Sequence, residues 1–154
     1  MIRFFGGRVM TLANGIETQD IEVWTEGSKI VFVGKPKAEE LDGKVFEREY
    51  DLKGNLLMPS FKNAHTHSAM TFLRSYADDM PLQDWLFKQI FPMEAKLDGE
   101  KVYWLTKLAI LEYLTTGCTA AFDMYFELDD YVKACTESGF RSVLCGAVSG
   151  DKSR

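Results

Sequence analysis

The stretch Cys118-Thr119-Ala120-Ala121-Phe122-Asp123-Met124 most constrains what this chain can become. It is an almost unbroken apolar run, and a long amphipathic segment ending at Gly117 precedes it. Leu128 to Ser138 follows with a second helical pattern, and Phe140 to Val148 then reads as another apolar strand. Strands alternating with helices imply parallel βα units. A strand in such a sheet is covered by helices on both faces, so it reads as continuously apolar rather than alternating. Leu56-Leu57-Met58 is expected to be the first strand of the series, Cys118 to Met124 the second and Phe140 to Val148 the third. Between the first and second, Ser68 to Ala77 reads as a short helix or loop. Asp78 and Asp79 are expected to cap a helix over Pro81 to Phe91, with Leu82, Trp85, Leu86 and Ile90 on one stripe and Pro92 as its stop. Asp98 opens a long helix whose buried face is expected to hold Val102, Leu105, Leu108 and Ala109.

Before Leu56 the pattern is different. Ile2 to Phe5, Arg8 to Leu12, Ile21 to Trp24, Lys29 to Gly34 and Val45 to Leu52 read as short strands, with turns at Asn14-Gly15, Glu26-Gly27-Ser28 and Lys53-Gly54-Asn55. This describes a small β-sandwich segment over residues 1–55, followed by βα units over 56–154. Asp20 and Glu22 are expected to be solvated strand positions.

The chemistry is concentrated at one place. The chain has two histidines, His65 and His67, and they stand two residues apart beyond the first apolar run. On a strand, residues i and i+2 share a face, so the two imidazoles would project side by side with Thr66 turned away. Paired imidazoles make half of a site for zinc, iron or nickel.

Leu57-Met58-Pro59-Ser60-Phe61-Lys62-Asn63-Ala64-His65-Thr66-His67 resembles the first metal-binding strand of the amidohydrolase superfamily. The segments Ala69 to Asp79, Trp85-Leu86, Phe91 to Leu97 and Gly117 to Tyr125 are similar to the deaminase and chlorohydrolase branch. Within it they are most similar to the S-adenosylhomocysteine/5′-methylthioadenosine deaminases. The resemblance implies a (β/α)₈ barrel preceded by a sandwich segment, and one divalent metal held in part by His65 and His67, zinc ahead of iron or nickel. It also implies hydrolytic removal of ammonia from an adenosine-type nucleoside by metal-activated water. Such a barrel typically needs ~250 residues, so 154 residues suggest the front third of such an enzyme. The remaining ligands and the proton-handling groups of the resembled family fall beyond Arg154, so no catalytic residue is assigned within the chain, and by itself it is expected to be inactive.

The resemblance also directs Glu94 toward the substrate ribose hydroxyls, a task that suits a carboxylate acting as a twofold acceptor. Trp85 is a candidate wall for the purine, through aromatic stacking, and an equally good core residue. Asp123 needs a partner if buried and is read as structural support. Two positions depart from the resembled pattern. Ser60 stands where glycine is usual, and Gly146 stands where some relatives place an arginine for a substrate carboxylate. The alternatives are a guanine- or cytosine-type deaminase, a chlorohydrolase, or a non-catalytic chain that only assembles with a partner.

Composition narrows the partners. A net charge of −5 without a basic block argues against nucleic acid and anionic membranes. No apolar run is long enough to span a bilayer, and the first residues lack a signal-peptide layout. Cys118, Cys135 and Cys145 are widely spaced and odd in number, which fits reduced thiols in a cytoplasmic protein. Three exposed strands would leave unpaired edges, so a homo-oligomer or a complementary chain is expected.

Overall fold

A computed structural model describes residues 1–13 and 15–146. Asn14, half of the expected Asn14-Gly15 turn, lies outside the described residues, as do the last two positions of the expected third strand and the polar end from Gly150. The chain divides into two compact units, Met1–Pro59 and Ser60–Arg154. Among the described residues no helix is long and apolar enough to cross a membrane.

The first unit is two small sheets. One contains β1 (Ile2–Phe5), β4 (Glu22–Glu26), β5 (Lys29–Gly34) and β6 (Arg48–Asp51), in the order β5-β4-β1-β6. The other contains β2 (Arg8–Thr11), β3 (Glu17–Gln19) and β7 (Leu56–Leu57), in the order β3-β2-β7. One helical turn, α1 (Ala38–Leu41), joins β5 to β6. Leu56 and Leu57 are therefore not the first strand of the βα series, as the apolar run suggested. They pair in parallel with Arg8 and Val9. A two-residue apolar strand carries no mark of which sheet it joins, since that is decided by a distant edge.

Glu22 is not a solvated acid either. Arg3 grips it from the neighbouring strand, Nε donating to Oε2 at 2.7 Å and Nη2 to Oε1 at 2.6 Å, while Nη1 donates to Glu49 at 2.8 Å. The buried Trp24 indole also donates to Glu22 Oε2, at 2.9 Å. The Arg3 hydrogen bonds, with the indole's help, hold the Glu22 carboxyl below the usual glutamate range against the opposing effect of burial. The unfolded chain thus takes up this proton first. The contribution to stability is complete above the ordinary glutamate value of about 4.3 and is lost as pH falls through the lower folded value. Trp24 emission should therefore shift to longer wavelength on acidification below about pH 4. The Arg3→Met variant should start from a less stable state and show a weaker dependence; an identical acid profile would remove Glu22 as the cause.

The second unit holds a three-stranded parallel sheet in the order β10-β9-β8, built from β8 (Phe61–Thr66), β9 (Cys118–Tyr125) and β10 (Arg141–Gly146). A 3₁₀ segment, Ser68–Leu73, follows β8, and α4 (Gly99–Thr115) and α5 (Leu128–Ser138) lead into β9 and β10. Asp98 caps α4 by accepting from the Lys101 amide at 3.0 Å. Gly117 takes φ +83° just past its end, a conformation that suits glycine at a helix terminus. The buried face of α4 is Val102, Thr106, Ala109 and Ile110, and Leu108 is exposed. The core gathers Val102, Ile110, Ala121, Tyr125, Tyr131, Cys135 and Phe140.

β9 is covered on one face only among the described residues. Ala121, Asp123 and Tyr125 are buried, while Phe122 is 49% and Met124 41% exposed. The expected two-sided cover is absent from the described chain, although the strand's composition suits it.

The helical stretch Leu82–Glu94 departs most from expectation. It begins as α2 (Leu82–Asp84), widens to a π-helical segment over Trp85–Ile90 and continues as α3 (Phe91–Glu94). Pro92 sits inside this stretch rather than ending it. Proline lacks the N–H that an α-helix interior requires, and here it comes directly after the wide turn, where Phe91 N–H already donates to Leu86 O rather than one residue nearer. Pro81 occupies the N-cap position with no side-chain cap bond, and Asp79 has φ +57° in the preceding loop, so neither aspartate caps the helix. Leu82, expected on the apolar stripe, is 64% exposed.

Candidate metal and nucleoside site

The site lies at the C-terminal ends of the parallel strands, where open α/β sheets and barrels present their chemistry. The local architecture of the histidine pair is subtler than strand alternation. Asn63 pairs with Ala121 and Thr66 with Asp123, so β8 spends three steps where β9 spends two. This bulge falls on Ala64 and His65, and bulges commonly re-aim side chains beside active sites. The Asn63 carboxamide oxygen accepts from the His65 amide at 3.2 Å, replacing the ladder bond lost there. His67 follows the strand and precedes the 3₁₀ segment. The two rings still meet, with centroids 5.0 Å apart and planes at 78°.

His67 Nδ1 lies 2.8 Å from the Met124 carbonyl oxygen. A carbonyl only accepts, so Nδ1 carries the proton and donates, and in the neutral ring Nε2 keeps its lone pair. This is the arrangement by which a backbone partner fixes the tautomer of a metal-ligating histidine. The backbone on both sides of His67 is also tied down. The Thr66 hydroxyl lies 2.5 Å from the Tyr113 hydroxyl, and the Ser68 hydroxyl lies 3.0 Å from the same group. The Ser68 amide donates to Asp123 Oδ2 at 3.1 Å. Asp123 is fully buried and also accepts from the Tyr131 hydroxyl at 2.5 Å. Burial, then the bond to Asp123, hold the Tyr131 phenol above its usual range, so it remains a donor. Asp123 thus supports the loop after the histidines and, among the described residues, hydrogen-bonds to neither ring. The tyrosines of this network were not legible in the sequence, because Tyr113 and Tyr131 read simply as helix residues.

The donor chemistry fits a divalent ion that accepts imidazole, with His65 and His67 as two ligands. Among the described residues no group of three or more His, Cys, Asp or Glu side chains could hold a metal, so these residues could supply at most the two imidazoles. Cys118, Cys135 and Cys145 are free thiols.

Trp85 and Glu94 come together with His67. A cleft of about 150 Å³ is lined by His67, Trp85, Glu94, Met124, Tyr125 and Phe126, with Met70, Leu86, Ile90 and Phe91 completing an apolar wall. Trp85 and Glu94 reach it from opposite ends of the π-containing helix. Ser60, at the entrance to β8, uses its hydroxyl as no glycine could: it lies 2.5 Å from the Thr119 hydroxyl and accepts from Lys62 Nζ at 2.7 Å.

Known proteins share this arrangement of chain. A 5-methylthioadenosine/S-adenosylhomocysteine deaminase of Desulfitobacterium hafniense is 42% identical over 130 residues, covering 84% of this chain and 30% of the relative. A 5′-deoxyadenosine deaminase of Methanospirillum hungatei is 56% identical over 94 residues, covering 61% of this chain and 21% of the relative. The crystal structure of an adenosine deaminase from Xanthomonas campestris with bound zinc superposes with a TM-score of 0.85 at 33% identity. The match covers 92% of this chain and 33% of that one. The chain therefore spans about a third or less of the length of these proteins. Residues 56–153, from the last strand of the first unit through all three parallel strands, match the amidohydrolase family, and the chain belongs to that family.

Proposed function

We propose that this chain provides the first metal-binding strand and the nucleoside-facing helix of a metal-dependent aminohydrolase acting on an adenosine-type nucleoside. The three parallel strands with their helices are, on this reading, the opening βα units of a (β/α)₈ barrel, and the two small sheets are the start of its flanking sandwich. The observation that carries the reading is the meeting of His67, Trp85 and Glu94 in one apolar cleft at the strand ends. The identity to adenosine-type deaminases over most of the chain supports it further.

A divalent metal, zinc ahead of iron or nickel, supplies when bound the Lewis acidity that makes water nucleophilic near neutral pH. His65 and His67 would contribute two of its ligands. The Met124 carbonyl keeps Nε2 of His67 available for that purpose. Trp85 offers an aromatic face to the purine, and the surrounding Met70, Leu86, Ile90 and Phe91 exclude water from it. Glu94 accepts from ribose hydroxyls, which orients the base relative to the histidines. Gly146 ends β10 without a side chain, so this position presents no cation to a substrate carboxylate. Among adenosine-type substrates, that favours those with a neutral 5′ substituent, such as methylthioadenosine or 5′-deoxyadenosine, over S-adenosylhomocysteine.

For the metal-loaded enzyme that carries this chain, ammonia release should be measured from adenosine, 5′-deoxyadenosine, methylthioadenosine and S-adenosylhomocysteine, with ammonia release from guanine and cytosine and chloride release from a chlorotriazine as contrasts. Turnover of the nucleosides alone supports the reading, whereas turnover of guanine, cytosine or the triazine alone replaces it with the corresponding hydrolase. Two imidazoles leave coordination open, so the 154-residue chain assayed by itself is expected to bind metal weakly and to release no ammonia. Clear turnover by that chain would show that the ligand set assumed here is wrong.

A further inference from the structure

One polar group facing the cleft has no role in the reading above. Tyr125 closes β9, and its side chain is 2% exposed. Its hydroxyl is enclosed without a hydrogen-bond partner among the described residues. Buried hydroxyls are nearly always paired, because an unpaired one loses its hydration without replacement. The position of Glu94 supplies the missing acceptor. Glu94, Tyr125 and Phe126 line the cleft that contains His67, and they also line a second cavity of about 370 Å³ beside it. Carboxylate and phenol therefore share the partition between the two spaces. Burial first, and the Glu94 charge second, raise the Tyr125 phenol above its usual range. The phenol thus keeps a proton to donate, and an ionised carboxylate can only accept.

We propose that Tyr125 is a positioning residue for Glu94: its buried hydroxyl donates to one carboxylate oxygen when the cleft fills, and so holds both oxygens toward a vicinal diol of the substrate. A carboxylate has about four lone-pair sites on two oxygens. One hydrogen bond from Tyr125 therefore leaves each oxygen able to accept from one hydroxyl of the diol. That bond selects one angle about the last side-chain torsion, which is intrinsically broad. The inference rests on the nucleoside reading above and extends it to a residue outside the metal and ribose contacts.

The test is Tyr125→Phe, which keeps the ring and its packing, in the metal-loaded enzyme that carries this chain. For an adenosine-type ribonucleoside KM should rise about tenfold with kcat little changed, and for the 2′,3′-dideoxy counterpart neither should move. Equilibrium dissociation of the two nucleosides from the metal-free protein should show the same contrast. The double variant with Glu94→Gln should be no worse than Glu94→Gln alone, because both act through one contact. Equal losses on both nucleosides, or additive losses in the double variant, would mean that Tyr125 only fills space. A silent Tyr125→Phe beside a Glu94→Gln that loses diol preference overturns the role of Tyr125 and leaves the nucleoside reading standing. If the unaltered protein shows no preference for the diol, the reading itself fails, and the role of Tyr125 with it.

Discussion

His67→Ala should lower metal affinity by more than about 100-fold. Loss of an outer-shell partner alone typically costs 10–100-fold, and on the proposed reading this substitution removes a ligand together with the hydrogen bond that orients it. The Met124 carbonyl, now 2.8 Å from Nδ1, would lose its donor as well. Competition with a chromophoric chelator measures the affinity directly, without any substrate. His65→Ala should fall in the same range, since its ring stands beside that of His67. Any activity should fall in parallel in both variants. Retention of zinc by His67→Ala at the original affinity would remove the pair from the ligand set.

Asp123→Ala should be the most destabilising single change in the second unit. The residue is fully buried and accepts from two donors, the Ser68 amide and the Tyr131 hydroxyl. Each donor left unpaired costs about 1–3 kcal/mol, so the variant should lose about 3–5 kcal/mol in urea unfolding at neutral pH. Asp123→Asn keeps one acceptor oxygen and should recover about half. A loss below about 1 kcal/mol would mean that water or a rearranged tyrosine satisfies both donors. The same substitution should weaken metal binding in whatever fraction stays folded, because Ser68 follows His67 directly and its amide anchors the loop.

These expectations mark what the sequence made legible. His65 and His67 stand out as candidates because both histidines of the chain fall in one motif. Trp85 and Glu94 could be found through the segments around them, and the structure brings both into the cleft with His67. The long helix and the two apolar strands that follow were legible from periodicity and from Gly117 and Gly139. The errors share a physical cause: they concern choices made by distant partners. Leu56-Leu57 is apolar in either sheet, and only the free edge of β2 decides where it goes. Leu108 fits the helical stripe by spacing, yet the buried face is turned toward Thr106 and Ile110. The bulge at His65 arises from the register against β9, which no local pattern records. Tyr113, Tyr125 and Tyr131 matter through their hydroxyls, and a tyrosine in a helix or strand does not reveal whether its ring or its oxygen is in use.

The wide turn ahead of Pro92 affects how this segment tolerates change in length. In a surface loop, a residue gained or lost is absorbed by slack. Between Trp85 and Glu94 there is none, because both ends of one continuous helix must reach the same cleft. Adding a single residue within 91–93, beyond the wide turn that already takes up one extra residue, would swing Glu94 by about 100° about the axis, away from His67. Composition would be almost unchanged and the site would be lost. The segment should therefore accept substitutions among its apolar residues far more readily than any insertion or deletion, and a chain of this kind with a different count between its tryptophan and its glutamate should carry a different specificity.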